Sequence, residues 1–126
     1  MLIASLTITA LLFPFASYHD DRGDHNQVNP GVVVEADWLA AGIYRNSLDR
    51  TTVFVQAAYW TEWRKAALIG PIRFGVSAGL GTGYRYPVIG GLQIQGRYWN
   101  VTYVPRTPWE QTGGNTFGFA VRVPID

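Results

Sequence analysis

The sequence predicts an all-β fold, a small eight-stranded antiparallel up-and-down β-barrel of outer-membrane type, and three observations predict it. Strand signals recur about every ten residues between turn signals, the spacing of a sandwich or barrel. Ile72 to Gly83 alternates strictly, with Ile72, Phe74, Val76, Ala78 and Leu80 on one face and Arg73, Gly75, Ser77, Gly79, Gly81 and Gly83 on the other. Charged residues make up 15% of the chain, against roughly 25% in ordinary soluble domains, so part of the surface is expected to face something other than water.

The elements follow in order. Met1 to Ala16 is apolar and uncharged, and too short for a spanning helix of about 20 residues. It reads either as a signal peptide cleaved after Ala16, though without a basic start, or as a lead into a first strand at Phe13 to His19. The polar stretch Asp20 to Pro30 is a loop. Val32 to Asp37 and Leu39 to Tyr44 alternate, and Ser47 to Arg50 is a tight turn. Thr51 to Trp60 is a β-branched and aromatic run. Thr61 to Ile69 is the one helical candidate, stopped by Gly70-Pro71. Leu92 to Gln95, Tyr98 to Tyr103 and Thr116 to Val123 complete the set, with a Pro/Gly loop over Arg106 to Gly114. Pro71, Pro87, Pro105 and Pro124 fall at strand ends, where a missing N–H does least harm.

On the Ile72 strand two readings stay open. Bulky side chains turned to lipid leave the glycines lining a narrow interior; alternatively, glycine and serine simply let a small barrel close. The aromatics Trp38, Tyr44, Trp60, Trp63, Tyr84, Tyr86, Tyr98, Trp99, Tyr103 and Trp109 crowd the expected strand ends, where an interfacial girdle would sit.

Composition bounds the function. A length of 126 residues gives one domain, and a net charge of +1 without a basic cluster argues against nucleic-acid binding. With no cysteine there is no disulfide and no thiolate nucleophile. His19-Asp20-Asp21-Arg22-Gly23-Asp24-His25 holds metal-ligating types without metal-site spacing and reads as a solvated loop. No metal or cofactor is expected. His19, at the end of the first strand, is a candidate general base. Tyr44 to Arg50 places Ser47, Asn46 and Asp49 beside Arg45 and Arg50, whose guanidiniums match an anionic head group.

These residues carry a family resemblance. His19 follows an early strand; then come Asn29-Pro30-Gly31-Val32-Val33-Val34-Glu35, Trp38, Gly42 to Ser47, Ala78-Gly79, Gly83-Tyr84 and Val101 to Pro105. The pattern resembles the lipid A palmitoyltransferases (PagP-like) and the small bacterial and phage-encoded barrels similar to them, over roughly residues 17 to 105. The resemblance implies an outer-membrane barrel that holds a hydrocarbon chain and moves a palmitoyl group from phospholipid to lipid A. It implies a catalytic set in which His19 matches the family histidine and Ser47 its serine. Asn46 stands where the family has aspartate, and an amide orients a base without stabilising an imidazolium. On this reading Gly75, Ser77, Gly79 and Gly81 leave room for the acyl chain, and Arg45 and Arg50 contact the substrate. The expected partners are membrane lipids, the expected state a monomer. The alternatives are a non-enzymatic barrel that binds lipid or alters the envelope, and a soluble lipocalin-like carrier, periplasmic or secreted, with its apolar face inward.

Overall fold

The chain closes into a cylinder of antiparallel strands, and side chains alternate between its two faces. The structure is a computed structural model that describes residues 7–19, 27–46, 48–84, 87–105 and 115–125, with the backbone alone at His19. Nine strands lie among them: β1 (Ala10–His19), β2 (Gly31–Ala36), β3 (Leu39–Arg45), β4 (Thr51–Trp60), β5 (Arg64–Ala66), β6 (Gly70–Gly81), β7 (Val88–Gly96), β8 (Trp99–Val104) and β9 (Thr116–Pro124). Pairing is antiparallel throughout, in the order β4-β3-β2-β1-β9-β8-β7-β6, and β4 pairs with β6 to close the ring. Eight strands are therefore staves of a barrel, and β5 is a three-residue extension on the start of β6.

Two expectations change. The helical candidate Thr61 to Ile69 is an extended segment, β5 and a turn, because positive φ at Leu68 (74°) and Gly70 (79°) folds the chain back on itself. The first strand begins at Ala10, three residues before Phe13: Ala10 to Leu12 pair with Glu35 to Val33 on one side and Pro124 to Arg122 on the other. Ala10 to Ala16 are thus barrel wall. Beyond Leu12 the β1–β2 ladder stops until the bridge Ala16↔Val28, and a bulge between Pro14 and Ala16 shifts the β1–β9 register. Pro14 and Pro30 lie in that interval and have no N–H to offer a ladder.

The bulky faces point outward. Phe74, Val76 and Leu80 are 47%, 58% and 59% exposed, and Phe13, Phe15, Val32, Val34, Ile43, Val53, Val55, Leu92, Val121 and Val123 share that outer surface. Inside, polar residues dominate: Asn29, Glu35, Thr52, Ser77, Gln93, Gln95, Asn100 and Arg122 are buried, beside a small apolar cluster of Leu12, Val33 and Phe54.

The two ends of the cylinder differ. One end holds both ends of the described chain, where Ile125 N–H donates to Thr9 C=O (2.9 Å), together with the two-residue turns Asp37-Trp38 and Arg97-Tyr98. The other, the loop rim, carries the ends of β1, β3, β6 and β8 and the starts of β2, β4, β7 and β9. Aspartate at Asp37 and Asp49 accommodates the left-handed φ (56° and 58°) that these turns need.

Candidate functional site

A cavity of about 230 Å³ occupies the loop-rim half of the barrel. Its upper wall is mainly apolar and aromatic, with Tyr44, Phe54, Val88, Ile89 and Val104 beside Ser17, Asn29 and Thr116. Its floor is uncharged and largely polar, with Gln56, Ser77, Gln93, Asn100 and Thr102 beside Leu12. The alternation of each strand sends these side chains inward while the bulky neighbours go out. Apolar cavities of roughly 150 Å³ already take benzene, so this volume suits an organic guest.

Below the floor lies an ionic plug. Glu35 on β2 accepts hydrogen bonds at Oε1 from Arg73 Nη2 and Arg122 Nη2, both 3.0 Å, and at Oε2 from Gln95 Nε2 at 2.9 Å. Gln95 in turn accepts from Arg73 Nε (2.7 Å) and donates to Asn100 Oδ1 (3.1 Å). The Arg73 guanidinium sits 4.0 Å from the Trp60 ring centre and 4.7 Å from that of Trp63, which also faces Arg122 at 5.3 Å. Two cations on one carboxylate, hydrogen-bonded and stacked on indoles, fill the barrel towards the chain-end side and leave the cavity closed below. In the sequence Arg73 and Arg122 are members of alternating runs, and Glu35 also closes the Asn29 to Glu35 stretch of the resemblance; none of the three is marked there as a site residue. The available signal was that, with Arg45 at the tip of β3, they are the charged residues within the eight staves.

At the loop rim the Tyr44 and Tyr84 hydroxyls meet at 2.6 Å. Burial first, and then the Tyr44 hydroxyl, push the Tyr84 phenol well above its ordinary range, so Tyr84 stays protonated at neutral pH and is no base.

The expected site residues distribute as follows. His19 ends β1 and its backbone pairs with Thr116, a residue of the cavity wall; its side chain lies outside the described residues. Ser47 also lies outside them, as do 20–26 of the acidic, histidine-bearing stretch. Asn46 is fully buried, and its side chain organises the turn. Oδ1 accepts from Leu48 N–H (2.8 Å) and Arg50 N–H (3.1 Å), and Nδ2 donates to Thr52 Oγ1 and Gly83 C=O, both 2.9 Å. An amide can do this because it offers two donors as well as acceptor lone pairs. Arg45 Nε lies 3.6 Å from Asp49 Oδ1 in an exposed pair of little energetic weight, and Arg50 is exposed beside it. Both stand on the loop rim, clear of the cavity lining.

The glycine face divides. Ser77 lines the cavity, whereas Gly75, Gly79 and Gly81 do not. A Cβ at Gly75 would fall 2.6 Å from the Trp60 ring, and one at Gly79 would strike the Val55 carbonyl oxygen. These two glycines give their space to the barrel's own indole and to the β4 backbone, which is the close-packing reading of the pattern. The room for a guest comes from across the barrel. At Gly118 a Cβ would meet its first neighbour, Thr102 Cβ, only at 4.0 Å.

Neither the protein-family models nor the curated proteins compared with the chain give a match.

Proposed function

We propose that the chain is an outer-membrane barrel that takes the hydrocarbon part of a membrane lipid into its cavity from the loop rim. One observation carries this reading: an uncharged outer belt encloses an interior cavity that is mainly apolar above and plugged below. From Ile72 to Leu80 the belt runs about 26 Å along β6, or roughly 20 Å upright at a tilt near 40°, close to the apolar band of membrane barrels. Exposed Trp38, Tyr59 and Tyr98 stand towards the chain-end rim and Tyr18 towards the loop rim, where aromatic girdles lie. A soluble carrier would turn its bulky row inward, and Phe74, Val76 and Leu80 face out.

The test is recovery of lipid. Barrel purified from membranes in a mild detergent should carry acyl lipid detectable by mass spectrometry. Gly118→Leu, which fills the cavity without striking backbone, should fold and lose it. Equal lipid content in the two proteins would remove the proposal.

A second reading, acyl transfer to lipid A, is favoured by the position of His19. It closes β1 against a cavity-wall residue, on the same rim as the 46–50 turn with only β2 between β1 and β3. Here His19 would take a proton from the acceptor hydroxyl, Ser47 would contact the reacting group and Asn46 would position them. Under this reading His19→Ala and Ser47→Ala should each abolish palmitoylation of lipid A in expressing cells. Unchanged lipid A profiles would leave binding without chemistry.

A further inference from the structure

The floor of the cavity is the wrong surface for a methyl group. Gln56, Ser77, Gln93, Asn100 and Thr102 stand there beside Leu12, and a plain alkyl terminus pushed against those amides and hydroxyls would expel water and return no hydrogen bond. Four of the five are occupied with one another or with their neighbours. Gln93 Nε2 donates to Ser77 Oγ (2.9 Å), Ser77 Oγ to Gly91 C=O (3.4 Å), and Asn100 Nδ2 to Thr102 Oγ1 (3.3 Å). Gln56 differs. Its amide makes no hydrogen bond to any described residue, and it is not sealed off, since the side chain borders both the cavity and a small void of about 20 Å³ beneath it. That void has room for about one water.

We infer that the cavity's guest carries a neutral hydrogen-bonding group, a hydroxyl or carbonyl, at its buried end, and that Gln56 receives it. This rests on the lipid-binding reading and specifies the guest. Neutrality follows from the wall: among the described residues no Asp, Glu, Lys or Arg lines the cavity, and the charges of the plug are spent on one another below it. A buried ion here would have no counter-charge. The apolar body lies against Phe54, Val88 and Ile89, and its deep tip reaches the level of Gln56, one inward position below Phe54 on β4. Gln56 offers both a donor and an acceptor, so either a hydroxyl or a carbonyl finds its complement.

The experiment compares dodecanoic acid with 12-hydroxydodecanoic acid, which differ only at the end remote from the carboxylate. Equilibrium binding is measured to the barrel held in amphipol, for wild type, Gln56→Leu and Gly118→Leu. Wild type should favour the hydroxylated acid roughly fivefold, the ratio one neutral hydrogen bond of about 1 kcal/mol produces. Gln56→Leu should bring the ratio to unity or reverse it while binding the plain acid at least as well. If Leu impairs folding, as read by far-ultraviolet dichroism, Gln56→Met serves the same comparison. A wild type that prefers the plain acid overturns the inference, and so does a hydroxyl preference that survives the loss of Gln56; either leaves the lipid-binding proposal standing. Neither acid binding wild type above the level of Gly118→Leu overturns the lipid-binding proposal, and the inference with it.

Discussion

Asn46 anchors the turn that leads into β4, and its surroundings suit an amide rather than a carboxylate. Both amide hydrogens are engaged, to Thr52 and Gly83, in a site sealed from water. A carboxylate would lose both donors and set its charge against the Gly83 carbonyl. Asn46→Asp should therefore destabilise the barrel by about 1–3 kcal/mol in denaturant titration, the cost of stranding buried polar groups. A variant as stable as wild type would show that the turn does not depend on the amide. Glu35 is the other decisive single residue. Removing it leaves Arg73 and Arg122 facing each other without a counter-charge, and Glu35→Ala should cost about 3–5 kcal/mol in the same titration. A Glu35→Ala variant within 1 kcal/mol of wild type would mean that water reaches the plug and screens it.

Among the elements, β1 joins sequence ambiguity to structural consequence. Its first half coincides with the stretch that also reads as the end of a signal peptide, yet Ala10 to Leu12 are paired on both sides. A chain beginning at Ser17 would retain three of the ten residues of β1. It should fail to close, and it should lack the heat-sensitive fast mobility of folded barrels on cold gels. The hairpin that carries β5 is the contrary case. The backbone of β5 pairs with β6 alone, and Leu68 at the tip is wholly exposed, so replacing residues 65–69 by a short Asn-Gly turn, which keeps Trp63, should leave closure intact.

Strand existence was legible wherever alternation was strong, as in Ile72 to Leu80, because the pleat forces period two whatever surrounds it. The β5 segment was not. Thr-Glu-Trp-Arg-Lys-Ala-Ala-Leu-Ile has good helix formers, but its conformation follows from a chain reversal at Leu68 and Gly70 and from pairing with β6, which no local window contains. The same limit governs the interior. That Phe74 and Gly75 take opposite faces was readable; that the space over Gly75 belongs to Trp60 required knowing that β4 lies beside β6. Glu35, Arg73 and Arg122 are separated by tens of residues and meet only in the closed ring, so the plug has no sequence motif.

At the scale of the whole molecule, the chain inverts the usual radial order, with a belt of Phe, Val, Ile and Leu outside and amides and ions within. An inverted order of this kind is stable in a bilayer and awkward in water. Val76→Arg places a charge in the middle of the belt without touching the interior, and should cost about 2–4 kcal/mol of folding stability in lipid vesicles. No measurable loss would argue that this face meets solvent.

The hydrogen bond from Ile125 to Thr9 stitches the two extremities of the described chain beside the seam of β1 and β9. Because that seam is hydrogen-bonded like any other in the wall, nothing physical marks it as the place where the polypeptide must be interrupted. A circular permutant, with a short linker joining those extremities and new ones cut between Arg97 and Tyr98, ought to assemble the same ring and would set the order of synthesis apart from the order of staves.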